Sequence, residues 1–422
     1  MFSKGIFVVT LFILYKITLN NANKEIQKYI DRKFKLHQGY PLDSLLNFTE
    51  LTAKYGYPSE EHTVVTEDGY ILTIFRIIRG KKCQGPIRSP PVLLMHGLLM
   101  SSDAWLDSGP ESGLAYLLSD ACYDLWAGNT RGNYYGKRHR TLNPETDIDF
   151  WQFTVNEIGS FDMPAVIDYI LNYTSSENIN YIGYSQGAST YFIMCSERKG
   201  YCDKVQVLIG LGPDSRNTYT KSIFSRLVAK AYQDLYPTLT EVGFYEALPL
   251  GGIVQQTIAF FCRDFVIADT FCRALLSMFD SPHPGSAETQ TIRVLVGHFP
   301  AGTSVKNMVW YSQSLNVDDF QHFDYGTRAN MELYGSLKPP AFNLSATTTP
   351  TVVISGKNDF LVVPADQEWL TSHLPNVLEH YIVEDSLWNH LDIAYSKLTG
   401  KDILPKILEY LSKYSYETDV GF

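Results

Sequence analysis

Gly183-Tyr184-Ser185-Gln186-Gly187 is the stretch on which the fold turns. A short apolar, β-leaning run, Ile179-Asn180-Tyr181-Ile182, precedes it, and a helix-compatible stretch, Ala188-Ser189-Thr190-Tyr191-Phe192-Ile193-Met194, follows. On a strand-to-helix turn, G-x-S-x-G lifts the serine Oγ above the sheet edge in a strained backbone conformation. Side chains at Gly183 and Gly187 would crowd the turn and the neighbouring strand. The same five residues could also form an ordinary loop, so the partners a reactive serine needs decide the matter.

Upstream, Pro90-Pro91 introduces Val92-Leu93-Leu94-Met95, an apolar run suited to a buried parallel strand that ends at His96-Gly97-Leu98-Leu99. Before it, two alternating runs, His62-Thr63-Val64-Val65-Thr66 and residues 70–76, flank the turn signal Glu67-Asp68-Gly69 and predict a β-hairpin. Tyr123-Asp124-Leu125-Trp126-Ala127 is another strand, and residues 113–120 and 161–172 read as helices. Strand and helix alternate up to Ser185, which makes a parallel sheet. Downstream, 205–212 and 351–356 are further strands, 380–383 is one more, and a last helix covers roughly 403–414. Between 214 and 338 the alternation stops. The text there is aromatic and helix-like, with helix candidates at 253–261, 271–279 and 305–311. The expected organisation is a core of 23–213 and 339–422, with 214–338 as a mainly helical cap over the carboxyl edge of the sheet. Ligands bind at that edge in such folds.

A serine hydroxyl becomes a useful nucleophile when a histidine takes its proton, and an acid must orient that histidine. In an α/β-hydrolase fold the chain order is serine, acid, histidine. Asp359 follows the strand 351–355 in Gly356-Lys357-Asn358-Asp359 and is the expected acid. Asp366 is the substitute candidate, although Pro364-Ala365-Asp366 reads as an exposed helix start. His390, in Trp388-Asn389-His390-Leu391-Asp392 after the last strand, is the expected base, whereas His373 and His380 read as structural. The carbonyl oxygen that gains charge during attack needs preorganised N–H groups. Those of Gln186, after the serine, and Leu98, in the loop after the early strand, occupy the right places.

The formal net charge of −10 disfavours a nucleic-acid partner. Lys4 followed by an apolar run over 5–15 and polar Asn20-Asn21-Ala22 has the layout of a signal peptide, expected to cover 1–22; an uncleaved anchor reaching Leu19 is the alternative. Sequons at Asn47, Asn172 and Asn343 agree with a glycosylated protein of the secretory pathway. Six cysteines, Cys83, Cys122, Cys195, Cys202, Cys262 and Cys272, suit an oxidising compartment, and sequence does not choose their pairing. Cys195 with Cys202 is a local candidate, while the pairing of Cys83 and Cys122 stays open, free buried thiols being the bland alternative. No cysteine or histidine cluster has zinc spacing, so no metal or other cofactor is expected.

Read together, these residues resemble the acid lipase family that includes gastric lipase and lysosomal acid lipase. The resemblance is carried by His96-Gly97-Leu98-Leu99, Ser101-Ser102-Asp103-Ala104-Trp105, and the run from Asp124 through Gly128-Asn129-Thr130-Arg131-Gly132-Asn133. Asn156-Glu157-Ile158-Gly159, Asp162-Met163-Pro164-Ala165, Gly183-Tyr184-Ser185-Gln186-Gly187, Pro340-Ala341-Phe342-Asn343-Leu344, Asn358-Asp359 and Asn389-His390-Leu391-Asp392 extend it across about 39–411. The resemblance implies hydrolysis of triacylglycerols or sterol esters at an oil–water or membrane surface, by a secreted or lysosomal enzyme. It puts catalytic roles on Ser185, Asp359 and His390 and oxyanion roles on Leu98 and Gln186. It also implies a cap disulfide between Cys262 and Cys272. Tyr184 departs from the family's usual histidine, at a position expected to shape the pocket wall. An esterase or thioesterase for small soluble esters, or a silent lipid carrier, are the competing functions.

Overall fold

The computed structural model describes residues 27–263 and 268–418; the signal-like segment 1–22 lies outside them. β1 (Glu60–Val65) and β2 (Ile71–Ile77) form the expected hairpin, with His62 opposite Ile74. β3 (Ile87–Met95), β4 (Tyr123–Ala127), β5 (Ile179–Tyr184) and β6 (Val205–Leu211) follow, then β9 (Thr351–Ser355) and β10 (Val377–Ile382). The sheet order is β1-β2-β4-β3-β5-β6-β9-β10, antiparallel from β1 to β4 and parallel from β4 onwards. β11 (Tyr416–Thr418) pairs antiparallel with the start of β3.

Every residue of β5 is buried, because helices cover both faces of the sheet. The pleat divides the core accordingly. Val92, Leu94, Ile182 and Ile209 face one apolar cluster, and Leu93, Met95, Tyr181 and Leu208 face the other. β5 lies centrally, so the turn that follows it emerges at the middle of the carboxyl edge.

Among the described residues, six helices lie between β6 and β9: Ile223–Glu241, Ile253–Cys262, Ala268–Phe279, Thr289–His298, Val305–Ser314 and Thr327–Tyr334. A small antiparallel pair, β7 (Glu246–Ala247) and β8 (Thr303–Ser304), joins them. The apolar text of this insertion divides into two environments. Nine of the ten residues of Val305–Ser314 are buried, and Val309, Trp310 and Tyr311 join the cluster of the sheet's own helices. Ile223–Glu241 buries only Ala229, and Ile223, Leu227, Val242, Phe244, Ile253, Phe260 and Phe261 are exposed.

Three disulfides, Cys83–Cys122, Cys195–Cys202 and Cys262–Cys272, lie among the described residues. The pairing of Cys83 and Cys122, open in the sequence, is thereby settled, and neither is a free thiol. Cys83 follows β2 and Cys122 immediately precedes β4; adjacent strands bring their Cα atoms to 5.1 Å. This bonding belongs to the oxidising secretory pathway. No helix among the described residues is long and apolar enough to cross a membrane.

Candidate active site

The turn after β5 is sterically defined. Ser185 has φ 52° and ψ −119°, a conformation few non-glycine residues adopt, and the helix Gln186–Glu197 begins at the next residue. A Cβ on Gly183 would stand 2.6 Å from the Ala188 nitrogen, and one on Gly187 would stand 2.3 Å from the Met95 carbonyl oxygen. Both positions thus require glycine. The Ser185 N–H donates to the Leu211 carbonyl at 3.0 Å, which ties the turn to β6.

The loop after β3 passes against the serine. A Cβ on Gly97 would lie 3.2 Å from the Ser185 Cβ. His96 holds the loop's shape: its Nε2 accepts from Asn133 Nδ2 at 3.1 Å, so Nδ1 carries the proton and donates to the Gly97 carbonyl at 2.8 Å. Burial pushes the His96 imidazole down to about 4, which keeps it neutral. Neither the Leu98 nor the Gln186 backbone N–H donates to another group among the described residues. The Gln186 side chain is pinned, its Oε1 accepting from Asn307 Nδ2 at 3.0 Å and from the Tyr311 hydroxyl at 3.1 Å.

Asp359 and His390 meet. His390 Nδ1 donates to Asp359 Oδ2 at 2.7 Å, while Asp359 Oδ1 accepts from the Leu361 and Val362 N–H groups at 2.9 and 2.7 Å. Both residues are buried. Burial alone would depress the imidazole; the charge and hydrogen bond of Asp359, with Asp280 and Asp214 behind it, instead raise it above its ordinary value. The ring's Nε2 is left for a proton from elsewhere. Tyr184 is fully buried. Its hydroxyl donates to the His390 carbonyl at 2.9 Å, and its ring centroid lies 5.0 Å from the imidazole, so it links the serine turn to the histidine loop.

Sequence reasoning missed Asp280. Its Oδ1 accepts from the Ser281 and Phe360 N–H groups at 2.8 and 3.0 Å, and its Oδ2 accepts from the Leu391 N–H at 3.0 Å. One carboxylate from the insertion thus clamps the loops of both Asp359 and His390. Burial pushes it up to about 7, Asp359 adding to the rise and His390 opposing it. Nothing local in Phe279-Asp280-Ser281-Pro282 signals this role.

The other candidates lie apart. Asp366, expected to be exposed, is 1% exposed: Arg216 Nε and the Tyr219 N–H donate to it at 2.9 and 3.2 Å. It anchors the loop after β6 and makes no bond to His390. His373 is exposed and bonded to the Trp369 carbonyl, and His380 faces Ser355 Oγ at 2.8 Å. Asn172 and Asn343 are exposed, whereas the half-buried Asn47 caps a helix, its Oδ1 accepting from the Glu50 N–H at 2.9 Å.

A serine on a strained turn at the carboxyl end of the central strand, beside a carboxylate-bound histidine, defines an α/β-hydrolase. Residues 48–109 match the partial α/β-hydrolase lipase region, and residues 90–244 match the α/β hydrolase fold. Lipase 1 of Drosophila melanogaster is 36% identical over 375 residues, 88% of this chain and 81% of that protein. Human gastric triacylglycerol lipase is 33% identical over 392 residues, 90% and 94% of the two chains. Human lysosomal acid lipase/cholesteryl ester hydrolase is 33% identical over 376 residues, 87% and 91%. A crystal structure from Sulfolobus solfataricus shares the fold at 14% identity, with a TM-score of 0.51 over 84% of this chain and 99% of that one. The chain belongs to the α/β-hydrolase lipase family and is a carboxylic ester hydrolase.

Proposed function

We propose that the enzyme cleaves carboxylic esters of neutral lipids, triacylglycerols or sterol esters, through an acyl-enzyme on Ser185. The observation that carries this reading is the Ser185 turn tied through Tyr184 to a histidine whose Nδ1 is already occupied by Asp359. Ser185 Oγ attacks the ester carbonyl and gives its proton to His390 Nε2. The Leu98 and Gln186 N–H groups receive the oxyanion. His390 then protonates the departing alcohol, and water repeats the sequence to release the fatty acid. Asp359 holds the imidazole in the required tautomer and supports its positive form.

Two features support a lipid substrate. The family relatives are a gastric triacylglycerol lipase and a cholesteryl ester hydrolase. The helices of the 214–338 cap also expose Ile223, Leu227, Ile253 and Phe261, which suits contact with an apolar surface. Action follows secretion or delivery to the lysosome. Initial rates on emulsified triolein, cholesteryl oleate and dissolved p-nitrophenyl butyrate test the assignment. Turnover of at least one emulsion is expected; hydrolysis of the soluble ester alone would replace the lipase with a small-ester esterase.

A further inference from the structure

The loop after β6 brings to the reaction centre a carboxyl group that the mechanism above leaves unused. β6 pairs in parallel with β9, Leu211 opposite Ile354, so this loop emerges beside the one bearing Asp359. It runs against the histidine, since a Cβ on Gly212 would stand 3.1 Å from both Cε1 and Nδ1 of His390. Two residues on, the Asp214 N–H points at the Ser185 carbonyl 3.4 Å away. Asp214 is 4% exposed, and its Oδ1 has no hydrogen-bond partner.

That orphan oxygen separates Asp214 from the other acids around the histidine. Asp280, from the segment after helix Ala268–Phe279, is filled by three backbone N–H groups. Asp359 is filled by two N–H groups and the imidazole. Asp392, on the histidine's own loop, accepts from the Asn389 N–H at 2.8 Å, from Ser286, and pairs with His283 Nδ1 at 2.7 Å. Asp366, on helix Pro364–His373, is paired with Arg216. Tyr184 on β5 and Tyr311 on helix Val305–Ser314 complete the titratable surroundings: the Tyr184 hydroxyl bonds to the His390 carbonyl, and the Tyr311 hydroxyl, bonded to Gln186, also faces the Asp214 carboxyl, as does Asn217 from the same loop. A buried carboxylate oxygen without a donor is unfavourable unless a nearby positive charge compensates it. His390 is the nearby group that becomes positive during turnover. Burial pushes the Asp214 carboxyl up to about 7, and the largest influence drawing it back down is His390.

We propose that Asp214 is a second acid of the catalytic centre, a positioning residue that supports the imidazolium form of His390 from the β6 loop as Asp359 does from the β9 loop. The proposal rests on His390 acting as the base. No bond to Asp214 forms or breaks. The proton passes from Ser185 Oγ to His390 Nε2, and the Asp214 charge lowers the energy of the ion that results.

The test is the pH profile of kcat/KM on p-nitrophenyl butyrate for the full chain and its Asp214→Asn, Asp359→Asn and doubly substituted forms. An anion at Asp214 raises the proton affinity of His390, so removing it leaves the neutral, active imidazole present at lower pH. The acidic limb should move down by about half to one pH unit in Asp214→Asn. In the Asp359→Asn background, losing Asp214 should cost about tenfold more than it does in the wild type. An unmoved limb, with the same loss in both backgrounds, would overturn the proposal. Should Asp214→Asn not fold, Asp214→Ser is measured in the same way; failure of both to fold makes Asp214 a structural acid and also overturns it. Failure of the underlying reading looks different, because Ser185→Ala or His390→Ala would then keep turnover.

Discussion

Replacing Gly212 with alanine probes how tightly the histidine is held. The residue has φ +52°, in the left-handed region, where a Cβ costs about 1–2 kcal/mol. The new methyl would also stand 2.9 Å from Ile393 Cδ1 and 3.1 Å from His390 Cε1 and Nδ1. The isoleucine tip can turn aside. The imidazole cannot do so freely, because its 2.7 Å bond to Asp359 fixes it, and overpacking of this kind adds about 1–3 kcal/mol. Gly212→Ala should therefore lose about 2–5 kcal/mol in urea unfolding. Its kcat on p-nitrophenyl butyrate should fall by about 10- to 100-fold, since the base is displaced from its productive position. Gly200→Ala is the control. It shares a positive φ of +86° but has nothing within 4 Å of the added carbon. It should lose about 1–2 kcal/mol and keep wild-type kcat. If both variants lost the same stability and both kept kcat, the inferred contact between residue 212 and the His390 imidazole, the proposed base, would be wrong.

Asp280→Asn places an amide where the Leu391 N–H needs an acceptor, so about 1–3 kcal/mol of stability should be lost. The folded Asp280 sits near 7 against an ordinary 3.8, so its protonation favours the fold fully below about 3.8 and this contribution disappears as pH rises through 7. The stability of the wild type relative to Asp280→Asn should fall between pH 4.5 and 8 in urea titrations; an unchanging gap would mean that Asp280 stays ionised throughout. Asn307→Ala removes one of the two donors to the Gln186 side chain and should cost about 1 kcal/mol, with a lower kcat and little change in KM. Loss of stability with kcat intact would confine Asn307 to a packing role.

The centre of this site was legible because its signals are local. Gly183 and Gly187 mark a turn that excludes side chains, and Asp359 and His390 each follow a strand recognisable by its apolar run. The clamp around them was not legible. Asp280 reaches Phe360 and Leu391 across 80 and 111 positions, and no spacing rule links residues so far apart. Asp366 was misread for the same reason: a helix start looks exposed until Arg216, 150 residues earlier, is seen folded onto it. Cys83 and Cys122 carry no spacing signal either; strand adjacency joins them. The helix Ile223–Glu241 was hidden by its internal Pro237, which reads as a helix breaker. Met308 to Tyr311 was rightly read as apolar and helical, but periodicity could not say that this helix would be enclosed while Phe260 and Phe261 remain exposed.

The central claim is that Ser185 is the nucleophile and His390 the group that activates it. A fluorophosphonate forms a covalent bond with an activated serine, so peptide mapping of the labelled protein tests the claim most directly. The label should fall on Ser185 and should be nearly abolished in His390→Ala, with hydrolysis of lipid esters lost in step. Labelling of another serine, or a Ser185→Ala protein that still turns over triolein, would contradict the account.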